Sequence, residues 1–195
     1  MKPMNYLRVV RLQRKIVPKF KIMKKIIFLY ALLVCCFIAR GQETQTEKNI
    51  VLNLPQGNEK PAKQAILSYL KTRKNTQIIN PETPNVLTYR FGDILFQINA
   101  DSGMIPKDRL EKFKMVRDNF STQVPGQKYS SELKTLKNYR AVLIKTQTED
   151  FCYYRFMAVN NANNKIVFAT MEYNKTEEAK AKSILEHILN HLKFK

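Results

Sequence analysis

Cysteine and histidine are scarce in this chain, and the familiar catalytic motifs are missing. Only three cysteines occur among 195 residues, and two of them, Cys35 and Cys36, are adjacent within an apolar run. Without that run Cys152 stands alone, and no intrachain disulfide can form. Two histidines, His187 and His191, are the whole supply. No GxSxG elbow, phosphate-cradling loop, Rossmann glycine pattern or paired CxxC is present, which argues against the common hydrolase, nucleotide-binding and thiol-redox classes. There is no internal repeat of fixed period and no low-complexity tract. Acidic residues are absent from positions 1–41, which hold ten of the 34 Lys and Arg, so the net charge of +18 falls to +8 for residues 42–195. A moderately basic remainder suits an anionic partner, and a solvated mixed surface equally.

The start of the chain carries its most specific signal. Met23-Lys24-Lys25 precedes an unbroken apolar run over residues 26–39, which closes on Ala39-Arg40-Gly41. A short basic flank, an apolar core and small residues two apart are what signal peptidase reads. A membrane span needs roughly 20 apolar residues, whereas a signal core is nearer ~10–14. Residues 1–22 add Arg8, Arg11, Arg14, Lys15, Lys19 and Lys21, more charge than a signal flank needs, so the simplest start of translation is Met23. With Met1 as the start, the same run serves as a retained anchor with a basic cytoplasmic tail. A lipid on Cys35 or Cys36 is a third possibility. The expectation is a basic leader and signal peptide over 1–41, cleaved, and a single extracytoplasmic domain over 42–195, periplasmic or secreted.

Patterning within 42–195 predicts mixed elements. Residues 42–48 are polar without a period and read as a flexible lead, and Ile50–Leu54 as a short strand. A first helix is expected over 61–73, with Ala62, Ile66, Tyr69 and Leu70 at helical spacing. Ile78 and Ile79 suggest a brief strand. Val86–Phe91 and residues 94–100 flank Gly92-Asp93, a two-residue hairpin loop with glycine where a primed turn needs it. That register sets Phe91 opposite Ile94, Tyr89 opposite Phe96 and Leu87 opposite Ile98 on one face. The other face carries Thr88, Arg90, Gln97 and Asn99, with Leu95 the exception, and is expected to be wet.

A second helix follows over 106–120, with Leu110, Phe113, Val116 and Phe120 in one stripe. Three strands are expected over 139–148, 151–159 and 165–173, in part covered on both faces. Asn174 with Glu177 reads as a helix start, and Ile184, Leu185, Ile188, Leu189 and Leu192 form the stripe of a closing amphipathic helix. The fold class is therefore α+β: an antiparallel sheet flanked by helices, closed by a C-terminal amphipathic helix.

Three groups invite chemistry. His187 and His191 are one helical turn apart and can share a metal, but the domain holds no further histidine, and their neighbours lack the glutamate arrangement of a zinc protease helix. Cys152 lies within a predicted strand and reads as a small buried hydrophobe. Tyr89, Arg90, Tyr139, Arg140, Tyr153, Tyr154 and Arg155 interleave rings with cations, yet form no RNA-binding strand motif and read as core aromatics with solvated arginines. No catalytic, cofactor-binding or metal residue is assigned, and no cofactor is expected.

From Val86 onward the chain runs hairpin, helix, three strands and closing helix. Its end, Ile184-Leu185-Glu186-His187-Ile188-Leu189 through Leu192-Lys193-Phe194-Lys195, resembles the terminus of exported PsbP-like and DcrB-like proteins of the Mog1/PsbP fold. The resemblance implies an antiparallel α+β domain and offers no shared catalytic set to transfer. The leading expectation is a non-enzymatic accessory or binding module of the cell envelope, with a groove or patch lined by the sheet or the second helix. Its partner is a protein or another envelope component, with no nucleic acid, and a membrane only if the leader is retained. The alternatives are a small metal- or thiol-dependent hydrolase drawing on His187, His191, Cys152 or scattered carboxylates, and a membrane-tethered envelope protein.

Overall fold

A six-stranded antiparallel sheet carries the domain. The computed structural model describes residues 43–46, 49–73, 76–121, 123–149 and 152–195, all within one unit, Glu43–Lys195. The expected leader over 1–41, with Met23, Cys35 and Cys36, lies outside the described residues, as does Phe151. In chain order the elements are β1 (Glu43–Thr46), β2 (Ile50–Leu54), α1 (Lys63–Thr72), β3 (Val86–Phe91), β4 (Ile94–Ser102), α2 (Arg109–Ser121), β5 (Lys128–Thr135), β6 (Tyr139–Gln147), β7 (Cys152–Asn160), β8 (Lys165–Tyr173), α3 (Glu178–His191) and β9 (Lys193–Phe194). The large sheet runs β3-β4-β8-β7-β6-β5, and a small one runs β1-β2-β9.

The hairpin forms in the expected register, Phe91 facing Ile94, Tyr89 facing Phe96 and Leu87 facing Ile98. Of the two loop residues, only Gly92 takes a positive φ, +68°, as a type II′ turn requires. Its apolar face joins the main core, in which Phe96, Phe156, Met171 and Tyr173 of the sheet pack against Leu52 and Leu54 of β2 and against α3. The closing helix buries Ala181, Ile184, Leu185, Ile188 and Leu189, the stripe its spacing demands. The Tyr139 hydroxyl, carried by the sheet, donates to the Leu189 carbonyl and ties the helix down.

The opposite face is covered in two separate places. Near β4, Ile66 of α1 packs on Leu95 and Ile78. Near β6 and β7, Leu110 of α2 packs on Val142, Ile144, Met157 and Val159. A polar band lies between these two patches. It exists because β4, β7 and β8 place Gln97, Arg155 and Thr170 at matched positions on this face.

Several expectations are corrected. The second hairpin face is wet only in part: Thr88, Arg90 and Asn99 stay half-exposed, while Gln97 is buried beside Leu95 because α1 and the residues after it cover them. Ile78 and Ile79 form no strand. Gln97 holds them instead, its Oε1 accepting from the Ile79 N–H at 2.7 Å while its Nε2 donates to the Ile79 carbonyl at 2.9 Å. The supposed lead contains β1, which pairs with β2. A fourth strand, β5, precedes the three expected ones and forms an edge of the sheet. Its sequence KYSSELKT is too polar to advertise a strand, as suits an exposed edge. Asn174 makes no side-chain cap; its Oδ1 accepts from Arg73 Nη2 at 2.5 Å, and a single 3-10 turn leads into α3. The α2 stripe is only half used, since Leu110 is buried while Val116 and Phe120 remain 45% and 60% exposed.

Candidate functional site

None of the three groups singled out in the sequence assembles a reactive centre. The rings of His187 and His191 stack with centroids 4.3 Å apart, and His191 Nδ1 lies 2.8 Å from the His187 carbonyl. Among the described residues, no three of His, Cys, Asp or Glu are grouped so that they could hold a metal. Cys152 is buried in the main core, where burial first and Glu178 second push its thiol pKa up, away from the thiolate that a nucleophile needs. Tyr89, Tyr139 and Tyr154 are core aromatics, the last stacked on Tyr173. Arg140 bonds Glu111 and the Lys107 carbonyl, fastening the start of α2.

Burial pushes the His187 imidazole below its ordinary pKa, and the neighbouring His191 adds to the effect. A base whose folded pKa lies below its unfolded one takes up its proton more readily when unfolded. The stability it contributes is complete above the unfolded value of about 6.5 and declines as pH falls through it. The Tm of the wild type should therefore drop more steeply from about pH 7 to about pH 5 than that of His187→Gln. Parallel profiles in thermal melts would count against this.

Arg155 is the exception to the solvated arginines expected from the sequence. It lies half-buried on the polar band, beside Thr170 of β8 in the register. Its Nη2 donates to Gln77 Oε1 at 2.7 Å, and its guanidinium lies 5.5 Å from the centre of the Tyr153 ring. Burial, and after it the like charge of Arg117, lowers its pKa. Arg117 comes from α2 and sits 5.5 Å from the Phe113 ring centre. Together they face a cleft of about 260 Å³, floored by Gln97, Asn99 and Thr170 and walled by Gln77 and Ile79 on one side and Phe113 on the other.

What distinguishes this cleft is its charge balance. A neighbouring hollow beside α1 contains Arg73 and Arg90, but Arg73 pairs with Glu172, and Arg90 with Glu59 and Asp93. A third, between the sheet and α3, contains Lys134, Lys145 and Lys182, paired with Glu132, Glu178 and Glu186. Among the described residues no carboxylate pairs with Arg155 or Arg117. The nearest carboxylate along the same face of β8, Glu172, is committed elsewhere. It accepts from the Tyr69 hydroxyl at 2.7 Å, Arg73 at 3.2 Å, the Thr76 hydroxyl at 2.8 Å and the Gln77 N–H at 3.0 Å. That network holds residues 76–79 against the sheet and so builds one wall of the cleft.

The other wall is set by α2, whose orientation Asp118 determines. Its carboxylate accepts from Lys114, from the Tyr129 hydroxyl at 2.9 Å and from the Ser131 hydroxyl at 2.6 Å, joining the helix to β5. Val116 and Phe120 lie two positions either side of Asp118, so at 3.6 residues per turn they project away from β5, on the side of Phe113. Both are exposed, as is Ile79 of the opposite wall, and their helix neighbours Phe113 and Arg117 line the cleft.

No family model and no curated protein matches the chain. Solved structures do. The solution structure of cyanobacterial PsbP from Synechocystis sp. PCC 6803 is similar with a TM-score of 0.47 and 11% identity, over 80% of this chain and 93% of that one. A crystal structure from Bacteroides thetaiotaomicron VPI-5482 gives 0.49 and 12%, over 80% of this chain, which spans about half of that one, 48%. At such scores and identities neither likeness carries a residue's role across. Among the described residues, no helix is long and apolar enough to cross a membrane.

Proposed function

We propose that this chain is a non-enzymatic accessory module exported to the cell envelope, and that the cleft between α2 and residues 77–79 is its binding surface. The observation that carries the proposal is the pair of guanidiniums, Arg155 and Arg117, facing a concave surface without a carboxylate among the described residues. Moving a cation partly out of water without a counterion costs stability. A ligand that supplies the missing negative charge offsets that cost, and a chain whose other clefts neutralise their own cations has a reason to leave this one open. Export is supported by the basic flank, the apolar run over 26–39 and the small residues that follow.

The test is ligand-observed NMR of the purified chain against a mixed panel of small anions, neutral molecules and cations. Anions should receive saturation, Arg155→Met should abolish the effect, and every compound should be recovered unchanged. Turnover of any compound overturns the non-enzymatic role, and anions that bind Arg155→Met as well as wild type overturn the cleft. N-terminal mass spectrometry on protein from its native cell tests export, with a mature start near Gly41 or Gln42 expected.

A further inference from the structure

We infer that the ligand of this cleft is a carboxylate-headed amphiphile, its head held by Arg155 and Arg117 and its apolar tail lying across Val116, Phe120 and Ile79. The inference rests on the binding-module reading and names its ligand class. Two features lead to it. The first is the chemistry of the floor. Two planar guanidiniums beside amide and hydroxyl groups match the paired oxygens of a carboxylate, to which arginine donates two parallel hydrogen bonds.

The second is the shape of the site. At about 260 Å³ the cleft is smaller than the ~300–1,000 Å³ that drug-sized ligands fill, so it takes a head and a short stretch of tail. The rest of the ligand has to leave along an open side. On that side α2 exposes Val116 and Phe120, and residues 77–79 expose Ile79 at 47%. Large exposed apolar side chains beside both walls of a polar cleft provide a tail with a surface that excludes water. A head-only ligand such as acetate would leave this surface unused, and a tail-only ligand would leave two cations unpaired.

The experiment is a titration of the isotope-labelled chain followed by NMR of its amide and arginine side-chain signals. The probes are decanoate below its micelle concentration, 1-decanol, acetate and decyl phosphate. Decanoate should move the guanidinium signals of Arg155 and Arg117 together with the amides of Val116 and Phe120. Acetate and decanol should bind at least about tenfold more weakly, since losing a charge-assisted hydrogen bond or the apolar contact costs at least that factor. Arg155→Met should weaken decanoate by about tenfold to a hundredfold. It should keep a Tm at or above that of the wild type, because it removes a half-buried cation that has no counterion. If Arg155→Met does not fold, Arg117→Gln carries the same expectation for binding.

Decanol binding as tightly as decanoate overturns the inference, as do tighter binding of decyl phosphate and shifts scattered over the surface. A neutral or cationic molecule that takes the same cleft while decanoate fails removes the carboxylate and leaves the binding module standing. Silence of these signals toward every charge class removes both.

Discussion

Glu172→Ala should lower the stability of the domain by about 3–5 kcal/mol, the range for breaking a buried ion pair by removing one member. The carboxylate is fully buried, and the side chain of its partner Arg73 is only 21% exposed, so solvent does little to screen the pair. Removing it takes an acceptor from four half-buried donors at once, Tyr69, Arg73, Thr76 and the Gln77 N–H, of which Arg73 keeps Asn174 as a partner. Donors left without an acceptor cost desolvation to the extent that water does not reach them. Urea unfolding followed by circular dichroism measures the loss, and a change below about 1 kcal/mol, the scale of a surface pair, would show that the network is not what holds this face. Glu172→Gln keeps the shape and part of the hydrogen bonding but leaves Arg73 without a counterion, so it should fall between wild type and Ala. Because Gln77 and Ile79 form a wall of the cleft, the same variant should weaken ligand binding, and hydrogen exchange over residues 76–79 should quicken before the sheet opens.

Ile188→Ala should cost about 2–5 kcal/mol, and Ile188→Val only about 0.5–1.5 kcal/mol. Ile188 is fully buried at the centre of the stripe that α3 presents to the sheet and to β2. Truncation removes apolar burial and leaves a cavity that the surrounding aromatics can fill only in part. For a domain whose whole stability is about 5–15 kcal/mol, a loss of this size shifts the urea midpoint strongly while the slope stays constant. A cost below about 1 kcal/mol for the Ala variant would mean that α3 lies on the core without closing it.

The hairpin was legible because its alternation has a period of two and its loop contains glycine at the position that needs positive φ. Nothing outside residues 86–100 is required to read it. The closing helix was legible for the same kind of reason, a continuous stripe at helical spacing. Strand β5 was not, because an edge strand exposes most of its side chains and so loses the apolar alternation that marks an inner strand. The exposure of Val116 and Phe120 was hidden as well. Their spacing is that of a core stripe, and the packing of Leu110 on the sheet with the anchoring of Asp118 to Tyr129 and Ser131 turns them outward. Asn174 illustrates a different kind of miss, since a residue suited to capping its own helix is taken by an arginine 101 positions away.

Local sequence determined the order and type of most elements, the hairpin register and the face that each helix offers to a core, because these follow from periodicities that repeat within a few residues. It also determined the leader's composition, on which the proposed export depends. Tertiary structure alone decided which arginines meet a carboxylate. Arg155, Arg117, Arg73 and Arg90 look alike in the chain, and their difference arises when distant strands and helices bring a carboxylate to two of them and none, among the described residues, to the others. Charge pairing depends on distances across the fold rather than along the chain, and a one-dimensional pattern does not contain them.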